Sequence, residues 1–310
     1  MALPLLLSHQ DVTEMYHQHT PPSHLEPATH LERDNLKLTQ LAPQELDGSA
    51  LRKISLYNNC LTIFPQKIFN HTNLQVLNIS CNQLTQLPPE IGALRALQMF
   101  DFGHNRASFI PEEIGQLSQL TYLYLSNNLF DDVPATLAKL TALRYLNITD
   151  NHLTQLPSAV CELSALQELR LYNNRIALVP DTIGQLTNLR ELHLMNNRLT
   201  VLPNSIAGLT ALTTLDLSNN LIEQFPDTFC QLDQLHEVNL RFNRLTRLPD
   251  SVAQLASLQS LDLRANHLSE LPDNMADMKN LRRLDLRWND FVHTPAVIDR
   301  LISQGCMVHL

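Results

Sequence analysis

Asparagine recurs every 23 residues, eleven times without a break: Asn59, Asn82, Asn105, Asn128, Asn151, Asn174, Asn197, Asn220, Asn243, Asn266 and Asn289. Proline stands six residues after each of them, from Pro65 and Pro88 through Pro272 and Pro295. Leucine stands eight residues before each, from Leu51 through Leu281. Invariant columns over eleven blocks do not arise by chance. A chain of like units must give each unit the same local conformation and bury each unit's apolar face against its neighbours.

Within a block that starts at the leucine, positions 4 and 6 are apolar and alternate with polar residues, as at Leu123 and Leu125. That is the period-2 signal of a short half-buried strand. Equivalent strands 23 residues apart must run parallel, about 4.8 Å from one another. The position-9 asparagine ends the strand, and its amide is expected to bond the backbone of its own and the adjacent turn. Proline at position 15 lacks an N–H and pre-sets φ, so it fits the first position of a short helical segment. Acidic residues such as Glu112, Glu113, Asp181, Asp227, Asp250 and Asp273 follow it, where a helix N-terminus favours negative charge. Positions 18 and 21, as at Ile114 and Leu117, turn the segment inward. A strand on one side and a wider segment on the other make the stack curve.

The pattern LxxLxLxxNxLxxLPxxIxxLxx resembles the leucine-rich repeat family, in particular its intracellular 23-residue type. That type occurs in bacterial proteins, plant Ras-group proteins and scaffolds of Ras signalling. The resemblance covers residues 51–303 and implies an α/β fold: a curved solenoid with a parallel sheet on the concave face and short helical segments on the convex face. It also implies protein binding on the concave face. Small GTPases or kinases are the partners suggested by analogy with the Ras-group proteins.

Three blocks depart from the pattern. The third pairs Phe100 and Phe102 with Ala107, a trade of large for small that conserves core volume. The first has His71 in a leucine column, which suits a terminal unit, and the eleventh has Thr294 before its proline. Residues 38–50 read as a partial capping repeat, with Leu38 and Leu41 spaced like Leu84 and Leu87. Residues 1–37 match nothing and read as a leader or cap, with a short helix over 8–18 broken by Pro21 and Pro22. At the other end a helix is expected over 295–304. A capping strand over 304–310 follows, with Val308 and Leu310 inward and the register shifted by one residue. Both ends being accounted for, no second folded domain is expected.

Composition narrows the function. A net charge of −9 argues against a nucleic-acid binder, which needs a basic footprint. No apolar run approaches the ~20 residues that span a bilayer, and the start at Met1 carries no Lys or Arg and turns polar at Ser8, so neither membrane nor secretion is indicated. Five cysteines with no close pair suit reduced thiols and a cytoplasmic location. Without a signal peptide, the sequons at Asn70, Asn78 and Asn147 read as accidents of an Asn- and Thr-rich repeat. No phosphate-binding, nucleophile-elbow, zinc-protease or dinucleotide motif occurs, and seven glycines are few for a phosphate-cradling loop. His17 and His19 lack a Cys or carboxylate to complete a metal set. No enzyme activity, cofactor or metal is therefore expected, and the chain is expected to act as a monomer.

Positions 2, 3, 5, 7, 8 and 10 should face out on the concave side. Tyr57, Tyr122, Tyr124, Tyr145, Tyr172, Phe242 and the only tryptophan, Trp288, fall there. Aromatic residues and arginine carry much of the energy of interfaces. One candidate surface combines Tyr122, Tyr124, Tyr145 and Tyr172 with Arg170, His193 and Met195, edged by Leu129, Arg175 and Arg198. Tyrosine's fitness for an exposed sheet is the competing explanation. A second combines Arg241, Arg264 and Arg287 with Phe242 and Trp288, where Asp262 and Asp285 are placed to neutralise the arginines. Residues 235–310 hold nine basic and nine acidic residues, so selective capture of nucleic acid is not indicated.

The sequence thus reads as a non-enzymatic interaction scaffold in intracellular signalling. The alternative is a bacterial effector or substrate-recognition subunit acting on a host protein. Effector ligases of that kind carry a catalytic domain beyond the repeats, so on that reading the activity is expected in another polypeptide.

Overall fold

A computed structural model of the chain describes residues 29–47 and 50–310. Among the described residues, thirteen three-residue strands form one open, curved sheet whose spatial order is the sequence order. The first are β1 (His30–Glu32) and β2 (Lys53–Ser55), and the last are β12 (Arg283–Asp285) and β13 (Met307–His309). All pair in parallel at a constant register of 23 residues, as Lys53 with Val76, until the last pair, where Leu284 meets Val308. That one-residue offset agrees with the shift expected at the C-terminus. Val308 packs against the core, whereas Leu310 is 58% exposed, so the inward placement expected of Leu310 is corrected. The strand ends at His309, so Leu310 lies outside the ladder.

The apolar columns make one continuous core from Leu31 to Cys306. In the third block Phe100 and Phe102 lie 6.0 Å apart, fully buried, and Phe64 of the first block stacks on Phe102 at 6.5 Å. Ala107, also fully buried, leaves the volume the rings take up. On the convex side most units make a five-residue 3₁₀ turn, such as Glu112–Gln116, in which the Ile114 amide bonds the carbonyl of Pro111. Ser158–Cys161 closes an α-turn instead, and the last unit makes an α-helix over Val297–Ser303. Proline thus sits one residue earlier than the sequence suggested, as an extended N-cap whose carbonyl starts the turn. The turns stack closely: a methyl group on Gly184 would lie 2.5 Å from the carbonyl oxygen of Ser205.

The position-9 asparagines join the units. Asn105 donates through Nδ2 to the carbonyls of Ile79, Phe102 and Gly103, and its Oδ1 accepts the amide of Leu84. Equivalent bonds to the preceding repeat recur from Asn59 to Asn289. These bonds satisfy buried turn groups that would otherwise cost ~1–3 kcal/mol each.

The sheet begins before residue 38. β1 lies inside the stretch 1–37, with Leu31 in register with Ile54. Two substitutions hide this unit in the sequence: Arg33 in the position-6 column and Leu36 in the asparagine column. His71 is therefore covered by a preceding unit and is buried, not terminal. The helix proposed over 8–18 and the histidines His17 and His19 lie outside the described residues. At the C-terminus the helix runs Val297–Ser303 and buries Val297, Ile298 and Leu301. No helix among the described residues is long and apolar enough to cross a membrane.

Candidate functional site

Four adjacent strands carry the first candidate surface: β5 (Tyr122–Tyr124), β6 (Tyr145–Asn147), β7 (Glu168–Arg170) and β8 (Glu191–His193). Strand spacing brings side chains of positions 3 and 5 within reach of their neighbours on either side. Tyr124 lies over Tyr145 with ring centroids 4.8 Å apart. The Arg170 guanidinium covers Tyr145 from the other side, 5.7 Å from its centroid. Tyr145 is consequently only 2% exposed, which corrects its expected place on the surface. Position parity fixes the face of the sheet, but the longer side chains beside Tyr145 cover it.

Tyr122, Tyr124 and Tyr172 are half-buried. Burial, reinforced for Tyr124 by the Tyr145 ring beside it, raises the phenols of Tyr124 and Tyr145 above their ordinary range, so these two stay neutral. Beneath Tyr124, in register on β4 (Met99–Asp101), Asp101 is buried. Burial raises its carboxyl to about 7, opposed by the hydrogen bond it accepts from the Gly103 amide.

Arg170 donates from Nε to Glu168 at 2.5 Å, and His193 Nε2 lies 3.2 Å from Glu191. Glu168, Glu191 and His193 present ligand atoms within 4.8 Å of one another. A divalent cation there would meet the Arg170 guanidinium already on Glu168, so the cluster is arranged to balance its own charges. Met195 is half-buried beside this group, whereas Leu129, Arg175 and Arg198 are exposed at the turn edge. Cys161 lies in the core, where burial raises its thiol to about 11 and keeps it protonated near neutrality.

The second candidate surface lies on the last repeats. Arg264 makes a bidentate pair with Asp262, and Arg287 does the same with Asp285. Arg264 also approaches Asp285 at 3.5 Å. Asp285 is 0% exposed; burial opposes its ionisation, but the Arg287 hydrogen bonds and the charges of Arg264 and Arg287 prevail and hold its carboxyl below the usual range. Arg241 forms no ion pair among the described residues and stands beside Phe242, whose ring lies 6.3 Å from Trp288.

Sequence reasoning missed a second ladder, at position 8. From Asn58 to Trp288 every residue there has a left-handed backbone, with φ between 49° and 61°. Asn196 donates to Asn173 at 2.6 Å and Asn173 to Asp150 at 2.8 Å. The signal was the Asn that precedes the invariant Asn in several blocks, as at Asn127, Asn173 and Asn196. Asparagine and aspartate tolerate this conformation better than other side chains.

Two family descriptions match the sequence. "Leucine-rich repeat region" matches residues 133–198 and 183–304, and "Leucine rich repeat" matches residues 72–130. No curated protein sequence matches significantly. Among solved structures, the chain is similar to the leucine-rich repeat domain of APL1B, with TM-score 0.75 and 24% identity over 95% of this chain and 83% of that one. It is similar to a TDR receptor, with TM-score 0.74 and 27% identity over 86% of this chain and 48% of the receptor. It also shares its fold with the ectodomain of the Arabidopsis thaliana receptor kinase GASSHO1/SCHENGEN3, solved in complex with CASPARIAN STRIP INTEGRITY FACTOR 2. There the TM-score is 0.55 and the identity 24%, over 86% of this chain and 42% of the receptor.

Proposed function

Since the chain belongs to the leucine-rich repeat family, whose fold is commonly a protein–protein interaction module, we propose that it is a non-enzymatic scaffold holding a protein partner on its concave face. The observation that carries this reading is the supported tyrosine surface. Tyr124 rests on buried Tyr145, which Arg170 clamps from the far side. Rings already held in place lose little freedom on binding, so more of their contact energy reaches the affinity. Tyr122, Tyr124, Tyr172, His193 and Met195 supply the contact area, and Arg170 offers its charge if a partner's carboxylate displaces Glu168. The Ras-group likeness of the repeats favours a small GTPase or a kinase as the partner, in cytoplasmic signalling.

Affinity capture from the source cell's extract, comparing wild type with Tyr124→Ala/Tyr172→Ala by quantitative mass spectrometry, tests the reading. A protein captured by wild type and lost by a variant that still melts cooperatively supports it. Equal capture by both removes the tyrosine surface from consideration.

A further inference from the structure

The position-8 ladder changes character at its C-terminal end. Asp150, Asn173, Asn196 and Asn219 share hydrogen bonds along the rim, the last donating from Asn219 to Asn196 at 2.5 Å. Phe242 and Trp288 then occupy the same left-handed backbone, with φ of 55° and 61°. For bulky side chains that conformation is a genuine outlier. Burial does not offset the strain, because Phe242 is 49% and Trp288 67% exposed. Ala265 lies between them, also left-handed, and its small side chain lets the rings approach to 6.3 Å. Arginines line the adjacent column. Asp262 and Asp285 hold Arg264 and Arg287, and Arg287 also lies 5.9 Å from the Trp288 centroid. Arg241, next to Phe242, has no carboxylate within 4.0 Å among the described residues.

We propose that Phe242 and Trp288 form a docking platform for an extended segment of a partner protein that carries an aromatic side chain and a nearby carboxylate. The aromatic side chain packs on the exposed faces of the paired rings, and the carboxylate pairs with Arg241. Strain that burial does not offset in the free chain is a mark of functional positions. A cation without an ion pair among the described residues, Arg241, beside two exposed rings defines the complementary chemistry: one anion beside one aromatic group. The platform is separate from the tyrosine surface and does not depend on it.

The test is selection from a phage-displayed random peptide library on the full-length protein, counter-selected against Phe242→Asn/Trp288→Asn. The expected peptides pair an aromatic residue with Asp or Glu and bind the Asn variant at least about tenfold more weakly. Arg241→Gln weakens the same peptides several-fold, with the difference shrinking as salt is raised. Asparagine suits the left-handed backbone, so the double variant melts roughly 2–5 °C higher than wild type while losing the peptides. A lower melting temperature would make the rings structural and overturn the proposal. It is equally overturned if no peptide is enriched, if the peptides bind the Asn variant as well as wild type, or if they lack an acidic residue.

Discussion

Asn174 reaches back 26 residues to the carbonyl of Ile148, which its Nδ2 meets at 2.9 Å. The same amide serves Leu171 and Tyr172 of its own turn, and Oδ1 takes the amide of Leu153. One buried side chain therefore closes four backbone groups in two repeats. Asn174→Leu keeps the volume but strands the Ile148 carbonyl and the Leu153 amide, while Leu171 and Tyr172 keep bonds from the Asn197 side chain and the Asp150 amide, and it is expected to destabilise the protein by ~2–4 kcal/mol. Urea unfolding followed by circular dichroism reads the effect as a lower midpoint; a change below about 1 kcal/mol would mean that water takes over the bonds.

Tyr145 and Tyr172 separate packing from contact. Tyr145→Ala removes a buried ring from between Tyr124 and Arg170 and is expected to cost about 3 kcal/mol. Tyr172→Ala removes a half-exposed ring and is expected to change stability by about 0.5 kcal/mol or less. Thermal melts of the two variants side by side decide whether the supporting and contacting roles are correctly divided.

Asp101 makes stability depend on pH in the sense opposite to a paired carboxylate. Its folded value near 7 lies above the ordinary value of 3.8, so between those pH values the folded state binds the extra proton. Stability from this group is full below about pH 4 and is lost as pH rises through 7. Asparagine fits the site, since Asn78 and Asn147 in the same column accept the equivalent amides of Ser80 and Thr149 at 3.0 Å. Asp101→Asn is therefore expected to stabilise by a few kcal/mol at pH 8, with the gain shrinking towards zero near pH 4. A pH-independent difference between the two proteins would show that Asp101 is not buried as a neutral acid.

Asp285 supplies the ordinary counterpart. Its depressed value means that its contribution is present above the usual carboxylate value of 3.8 and lost as pH falls through the lower folded value. Asp285→Ala leaves Arg264 and Arg287 without their shared acid and is expected to cost about 2–4 kcal/mol at pH 7. Repeating the unfolding titration at pH 2–3 should show the difference from wild type much reduced.

The repeat made the architecture legible because each column has a single physical duty. Leu123 and Leu125 announce the strand, and Asn128 and Pro134 announce its two turns. Legibility failed where a side chain's fate depends on its neighbours' lengths. Nothing in the residue itself distinguishes buried Tyr145 from half-exposed Tyr122; the difference lies in Tyr124 and Arg170 reaching over one ring. It failed again at β1, where Arg33 and Leu36 replace the residues that mark a unit although the backbone keeps the register. The left-handed rim was half visible, as asparagines before the invariant asparagine, and was masked where Phe242, Ala265 and Trp288 take their place.

The reach of the position-9 amides also governs how such a chain can change in size. Each accepts an amide from 21 residues upstream and donates to a carbonyl 26 residues upstream. Losing or gaining a residue within that reach displaces the amide from both partners at once. A tandem duplication or deletion of 23 residues moves every partner together and leaves the bonds intact. Ancestral lengthening of the solenoid would thus proceed in whole copies, through unequal recombination rather than single-codon slippage. The 24-residue step into β13 lies where no later asparagine imposes the rule.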